Sequence, residues 1–368
     1  MSNRLPKGFS YIESRNLYRA RVFVDGATYE VTAKTLKDCK VKYEELRDQI
    51  KSGMHIDNRN ITLEKYWNDW LLEREGIVKE STLYADDKSW KYLKPILGKR
   101  KLSEITKADV LRLQKELKKT LAANTVNKVT NLLSKMLTSA MHNRIINYNP
   151  VSAVKKLEHT GKAAKESNHR ALTVDEQKRF FAAAKGTYYY NLYCFLIYTG
   201  CRIGEAAALT WNDIDYKNNV IHIKRTVSRT SDSDYIISDT PKTKSSIRDI
   251  PLKDNVKKIL QDQKEQNKGL RIVPFDQRIF TTQTGDIIQY TCVNTCIMAI
   301  IKKLDGFERF SVHALRVTFA TRCIEQGMQP NTLKELMGHG SYRMTMDLYA
   351  HVLPDTKAAE LEKIEIAI

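Results

Sequence analysis

Apolar and polar positions change their period along this chain of 368 residues. Over about 4–53, the runs FSYIES, LYRARVFV and ATYEVTA alternate large and polar residues, with turns at Arg15-Asn16 and Asp25-Gly26. A period of two is that of half-buried strands. A helical spacing follows, from Leu36 through Val41, Tyr43, Leu46 and Ile50, and stops at Gly53. The pattern predicts a three-stranded sheet packed on one helix. From about 61 to 158 the period is helical throughout. Thr62 caps a helix bearing Leu63, Tyr66, Trp67, Trp70 and Leu71, and Trp90, Tyr92, Leu93 and Ile96 lead to a break at Gly98. Thr106 begins a helix through Val110, Leu111, Leu113 and Leu117, and Thr125 another through Val129, Leu132, Leu133, Met136, Leu137 and Met141. Tryptophans at such spacing read as core. The stretch 155–170, centred on HTGKAAKESNH, has little periodicity and several charges and reads as a linker. Thr173 and Glu176 then form a capping box ahead of Phe180, Phe181 and Ala184.

The expected fold class is multidomain: a small three-stranded β-sheet plus helix over 1–55, an all-α domain over 60–158, and a mainly α domain with a small β-sheet over 168–368. The apolar fraction of 42% is enough for proper cores and excludes disorder of the whole chain. An excess of 61 Lys and Arg over 43 Asp and Glu gives a net charge of +18, for which a polyanion is the natural partner. On the first strands, Tyr18, Arg19, Arg21, Tyr29 and Lys34 set cations and aromatics on a sheet that could lie in a groove of duplex DNA. The plainer reading is a solvated face. Six scattered cysteines include one close pair, Cys292 and Cys296, whose spacing without a nearby histidine suits zinc poorly, so no metal is expected. No secretory signal opens the chain and no apolar run reaches membrane-spanning length. These features lead us to expect a reduced, intracellular, cytoplasmic protein with no membrane partner.

The chemistry concentrates after residue 190. YTGCRIGEAAALTWNDID (198–215) places Arg202 and Glu205 three apart, hence on one side of a helix, pinned by Ile203, Ala207 and Leu209. An arginine held so can grip two phosphate oxygens, with the carboxylate orienting it. VIHIKRTV and YIISDT read as strands and lead into TPKTKSSIRDIPL (240–252), which would present Lys242 and Lys244 near a turn. A lysine there could protonate a leaving alkoxide. HALR puts His313 and Arg316 on another helix, and LMGHGSYRMTMDLYAHV supplies His339, between Gly338 and Gly340, and Tyr349. The two glycines suggest a helix boundary with close backbone approach. Two arginines with histidine donors neutralise a pentavalent phosphorane, and a tyrosine in that field can attack phosphorus. No acidic cluster suited to two metals and no Walker or Rossmann glycine motif accompanies them, so no cofactor is expected. Singly, RxxE is a surface ion pair, HxxR a packing pair, and Tyr349 one of 18 tyrosines. Order and spacing together carry the signal.

TGCRIGEAAAL, TPKTKSSIRDIPL, HALR and MGHGSYRMTMDLY, in that order over 168–352, resemble the tyrosine recombinases, the integrases of phages and conjugative transposons. The resemblance implies that Arg202 and Arg316 clamp the scissile phosphate and that His313 and His339 contact it or relay protons. Lys242 would be the general acid for the 5′-hydroxyl; Lys244, two residues on along an expected strand and so able to face the same side, is the other candidate and otherwise a DNA contact. Tyr349 would form a 3′-phosphotyrosine without metal, and Glu205 would support the site. It further implies an arm-site DNA-binding domain at 1–55, a core-binding domain at 60–158, and a clamp around duplex DNA. Four protomers would exchange strands through a Holliday junction, integrating or excising a mobile element at the nucleoid of a bacterial host. An excisionase or a host DNA-bending protein would be a further partner. The tail HVLPDTKAAELEKIEIAI would pack on a neighbouring protomer, or else in cis. Two other readings stay open: a type IB topoisomerase-like enzyme and a catalytically inactive DNA-binding regulator. No RRM or KH signature supports an RNA partner.

Overall fold

The computed structural model describes residues 5–6, 8–24, 27–51, 61–158, 170–232, 234–238, 244–269 and 277–352. Asp25-Gly26, Gly53, most of the expected linker, Lys242 and the tail beyond Val352 lie outside the described residues. The chain divides into two compact units, Met1–His159 and Thr160–Ile368.

In the first unit, β1 (Phe9–Ile12), β2 (Leu17–Val24) and β3 (Ala27–Ala33) form an antiparallel meander followed by α1 (Leu36–Lys51). The β1–β2 turn closes through Asn16 in the left-handed region at φ 51°, a conformation that asparagine tolerates. Strand alternation puts Tyr18, Ala20, Val31 and Ala33 on one face, where they pack with Cys39 and Tyr43. Val41, counted in the apolar stripe of α1, is exposed instead, and Cys39 is the buried residue.

Next come α2 (Leu63–Arg74), α3 (Glu80–Leu97), α4 (Lys107–Lys118) and α5 (Ala123–His142), around a core of leucines, valines and three tryptophans. Trp67 stacks on Trp90 with ring centroids 4.8 Å apart, and Trp70 sits 5.9 Å from Trp67. These tryptophans are core, as their spacing predicted. Thr62 caps α2 by accepting from the Lys65 amide, and Thr106 caps α4 with Asp109 reaching back. α5 starts at Ala123, two residues before the expected Thr125, because Ala122 in extended backbone ends the preceding loop. Buried Asp86 on α3 pairs with Arg74 of α2 at 2.9 Å and Lys135 of α5 at 3.0 Å.

The second unit opens with α6 (Val174–Ala184), capped by the reciprocal Thr173–Glu176 box that the sequence predicted. α7 (Tyr190–Thr199) follows; it is apolar on nearly every side and runs through the core with Leu192, Tyr193, Phe195 and Leu196 buried. It ends at Gly200, whose φ of +65° closes the helix, and α8 (Ile203–Ala208) begins three residues later. β4 (Ile214–Asp215), β5 (Val220–Ile223), β6 (Thr226–Arg229), β7 (Tyr235–Ser238) and β8 (Arg248–Pro251) come next. The expected single run VIHIKRTV breaks at Lys224-Arg225, so β4, β5 and β8 make one antiparallel sheet and β6 and β7 a separate hairpin. α9 (Asp254–Lys268), α10 (Tyr290–Ile301), α11 (His313–Glu325), α12 (Pro330–Met337) and α13 (Tyr342–Val352) complete the unit. Among the described residues, no helix is long and apolar enough to cross a membrane.

Candidate active site

Arg202 does not lie inside a helix with Glu205, as the three-residue spacing suggested. It is the N-cap residue of α8 in extended backbone, and Glu205, in the first turn, reaches back to it. The Glu205 carboxylate accepts from the Arg202 backbone amide at 2.9 Å and from its guanidinium at 2.7 Å. Glu205 is buried and also accepts two bonds from Arg248, at 3.1 and 2.8 Å. Burial alone would raise its pKa. Hydrogen bonding and charge from Arg248, then the charge of Arg202, outweigh that and hold the carboxyl below its usual range.

The sequence reading missed Arg248. A signal was present: in Arg248-Asp249-Ile250-Pro251-Leu252, alternation places Arg248 on the face that buries Ile250 and Leu252. An arginine at an inward strand position needs a partner, and Glu205 is that partner.

Three consecutive carbonyls at the C-terminal end of α12 organise the rest. Arg248 Nε donates to Leu336 O at 2.6 Å, Arg316 Nη2 to Met337 O at 2.5 Å, and Arg202 Nη2 to Gly338 O at 3.1 Å. These carbonyls lack helical partners and carry the negative end of the helix dipole, so cations satisfy both needs. Arg316, on α11 with His313 at its first position, also donates to Gly200 O at 2.6 Å. Burial, then repulsion from Arg202, pulls its guanidinium down to about 9, which still leaves it protonated at neutral pH. Guanidiniums that repel one another around one helix end stand ready for an anion. A phosphate would relieve that repulsion.

Gly338 follows α12 in the left-handed region, and a Cβ there would meet Arg248 Nη1 and Ser245 O at 3.0 Å. The close approach expected at this glycine is present. His339 comes next, 6% exposed, with Nδ1 2.9 Å from the hydroxyl of the fully buried Thr345 on α13. Thr345 is a second residue that the sequence reading passed over. Burial, followed by the charges of Arg316 and Arg202, lowers the His339 pKa to about 4, so the ring is uncharged at neutral pH.

This shift predicts a pH dependence of stability. The folded ring titrates near 4 and the unfolded one near 6.5, so between these values the unfolded chain binds the extra proton. Stability contributed by neutral His339 is therefore complete above about 6.5 and is lost as pH falls toward 4, by on the order of 3 kcal/mol. Urea midpoints across that range should fall more in the wild type than in His339→Gln. Parallel curves would contradict the assignment.

The Tyr349 phenol donates to the Met328 carbonyl, in the turn between α11 and α12, and its side chain packs against the cluster of Ala320, Ile324, Leu333 and Met337. Burial, then the neighbouring Cys323 and Tyr342, raises its pKa. The structure thus brings together Arg202, Glu205, Arg316 and His339, with His313 near enough to His339 to act on it electrostatically. Lys242 lies outside the described residues. Lys244 falls not on a strand, as expected, but in a 3-10 turn over Lys244–Ser246, where alternation between faces does not apply.

On the small sheet, Arg19 and Arg21 share the face turned away from α1. Arg19 donates to Ser10 Oγ at 3.2 Å and Arg21 pairs with Glu30 at 3.2 Å. Phe23 projects from the same face and is 71% exposed. Tyr18, grouped with these arginines by the sequence reading, lies on the opposite face against Tyr11 because adjacent strand residues point oppositely. Lys34, just past β3, is exposed. Among the described residues, no three His, Cys, Asp or Glu side chains stand close enough to hold a metal.

Three arginines on one helix end and a buried histidine, with a tyrosine on the following helix, in a mainly helical unit with a small sheet, make a cationic site of the class that the tyrosine recombinases present to a phosphate. The sequence profile of the phage integrase family matches residues 170–355, just over half of the chain, and that of the phage integrase N-terminal SAM-like domain matches 62–118. The chain belongs to the phage integrase family, the site-specific tyrosine recombinases. It is 25% identical over 355 residues to a tyrosine recombinase XerC-like protein of Caldanaerobacter subterraneus subsp. tengcongensis, covering 91% of this chain and 90% of that one. Its fold matches the Tn1549 transposon integrase in complex with a circular intermediate DNA (TM-score 0.72, 25% identity, 83% of this chain and 100% of that one). It also matches, at the level of fold alone, a lambda integrase tetramer bound to a Holliday junction (TM-score 0.61, 19% identity, all of both chains).

Proposed function

We propose that this recombinase cuts and rejoins duplex DNA at the attachment sites of a mobile element, with Tyr349 as nucleophile. The convergence of Arg202, Arg248 and Arg316 on the end of α12 carries the reading, because among the described residues the ion pairs shown for these three arginines are those with Glu205, which leaves positive charge in excess beside His339. Arg202 and Arg316 would hold the non-bridging oxygens and offset the charge that grows on them. Neutral His339, its Nδ1 fixed by Thr345, would hydrogen-bond the phosphorane, with His313 beside it.

The Tyr349 oxygen attacks phosphorus and passes its proton to a neutral histidine, His313 or His339, while the bond to O5′ breaks and Lys242 or Lys244 protonates the departing 5′-oxygen to the hydroxyl. The new 3′-phosphotyrosine keeps the energy of the phosphodiester. A 5′-hydroxyl from the partner duplex can therefore reverse the step without a nucleotide cofactor. Release of the phenol from the Met328 carbonyl precedes attack, since one oxygen cannot occupy both places.

The reading takes duplex DNA as partner and four protomers around a Holliday junction; the Tn1549 integrase, similar to this chain, is in complex with a circular intermediate DNA, and the lambda integrase, similar in fold, forms a tetramer bound to a Holliday junction. We assign arm-site binding to 1–55, core-site binding to 60–158 and catalysis to 168–368, at the nucleoid of the host. On the arm-site part, Arg19, Arg21 and Phe23 on the open face, with Lys34 at its edge, would meet the groove, while Tyr18 supports the sheet from behind. An excisionase or a host DNA-bending protein would set the direction of exchange.

A nicked duplex carrying a core site, selected from a random DNA pool with the wild-type chain, tests the central step. The wild type should trap a covalent adduct at a 3′-phosphate, and Tyr349→Phe should bind the same duplex and trap none. An adduct that survived in Tyr349→Phe, or no adduct with the wild type, would sink the reading.

A further inference from the structure

We propose that Arg248 is a positioning residue for strand cleavage: through Glu205 it sets where Arg202 stands, and it joins the lysine-bearing turn to the backbone that carries His339. This rests on the recombinase reading above. A buried ion pair is weak evidence for stability, since desolvating both charges offsets much of their attraction. An isoleucine would fill an inward strand position at lower cost. The geometry indicates what the charge does instead.

Each Glu205 oxygen is shared. Oε1 accepts from Arg248 and from the Arg202 guanidinium, and Oε2 accepts from Arg248 and from the Arg202 amide. The flat Arg248 fork therefore fixes the plane of the carboxylate, and that plane fixes Arg202. Arg248 Nε holds Leu336 O, next in sequence to the carbonyl that Arg316 takes. Its Nη1 also donates to Ser246 O at 3.2 Å, within the Lys244–Ser246 turn. Gly338 lies against Arg248 Nη1 and Ser245 O so closely that a Cβ has no room, and His339 is the next residue. With a side chain only 5% exposed, Arg248 joins Glu205, the Lys244–Ser246 turn and the end of α12, and leaves the substrate to the others.

Lysine in its place would keep the charge but lose the fork. Arg248→Lys should bind the core-site duplex like the wild type yet form the Tyr349 adduct roughly 10- to 100-fold more slowly, the usual effect of disturbing a supporting contact. The decisive comparison uses a methylphosphonate at the scissile position. Replacing one charged oxygen by methyl reduces the demand on the arginine clamp, so a defect that acts through Arg202 should shrink on that substrate. A defect due only to a loosened fold should lower both rates by one factor. Glu205→Gln, which keeps the shape but weakens the shared bonds, should show the same signature, and serves if Arg248→Lys does not fold. Equal loss on both substrates, or no loss on either, overturns the proposal while the recombinase reading stands. A wild-type chain that forms no adduct overturns both.

Discussion

Arg316→Ala is expected to slow adduct formation by roughly 10²–10³-fold in single turnover, the scale of removing one preorganised donor to a developing oxyanion. Binding of the core-site duplex should change far less, since one phosphate contact among many contributes a small part of the affinity. The side chain is buried with its donors aimed at Gly200 O and Met337 O. Truncation leaves two acceptors without partners, a loss of about 1–3 kcal/mol each where water cannot reach them. Against this, removing Arg316 relieves its repulsion with Arg202 and Arg248, the same repulsion that lowers its pKa. The variant should therefore fold with a modest loss of stability and a large loss of rate. A variant that melted like the wild type and cleaved at the wild-type rate would remove Arg316 from the site.

Glu205→Ala should have the opposite balance, with a stability loss of about 3–5 kcal/mol, the usual result of leaving a buried charge without its counterion. Glu205 is the anion that Arg202 and Arg248 share, and its oxygens also hold the Arg202 amide at the start of α8. Without it, Arg202, Arg248 and Arg316 crowd one helix end with only carbonyls to face. Guanidinium-induced unfolding would measure the loss. Glu205→Leu combined with Arg248→Met should recover much of the stability, because the pair is replaced by apolar volume, yet it should not recover cleavage. A double variant that cleaved normally would show that neither charge is needed to place Arg202.

Local chemistry explains which elements were legible from sequence. The Thr62, Thr106 and Thr173 caps, the alternating strands and the three tryptophans of the helical core all follow from periods of two and 3.6 and from short-range hydrogen bonds. Gly338 was legible because two glycines around a histidine mark a tight backbone. Errors arose where a neighbour in sequence was read as a neighbour on a face. Arg202 and Glu205 meet across a helix cap and not along a helix, and Tyr18 and Arg19 point to opposite sides of one sheet.

Sequence alone supplied the candidate set from which the proposed reacting groups are drawn, since Arg202, His313, Arg316, His339 and Tyr349 stand in motifs whose order survives any folding. It also determined the demand for a polyanion, since the +18 charge needs no fold to be counted. Tertiary structure decided how those groups are held. The end of α12 offers three unpaired carbonyls, and only folding brings Arg202, Arg248 and Arg316 from three distant segments to face them. It also decided that Arg248 belongs with the others and that the phenol of Tyr349 rests on the Met328 carbonyl. Such contacts join residues tens to more than a hundred positions apart, and the repeat of a helix or a strand carries no information over that distance.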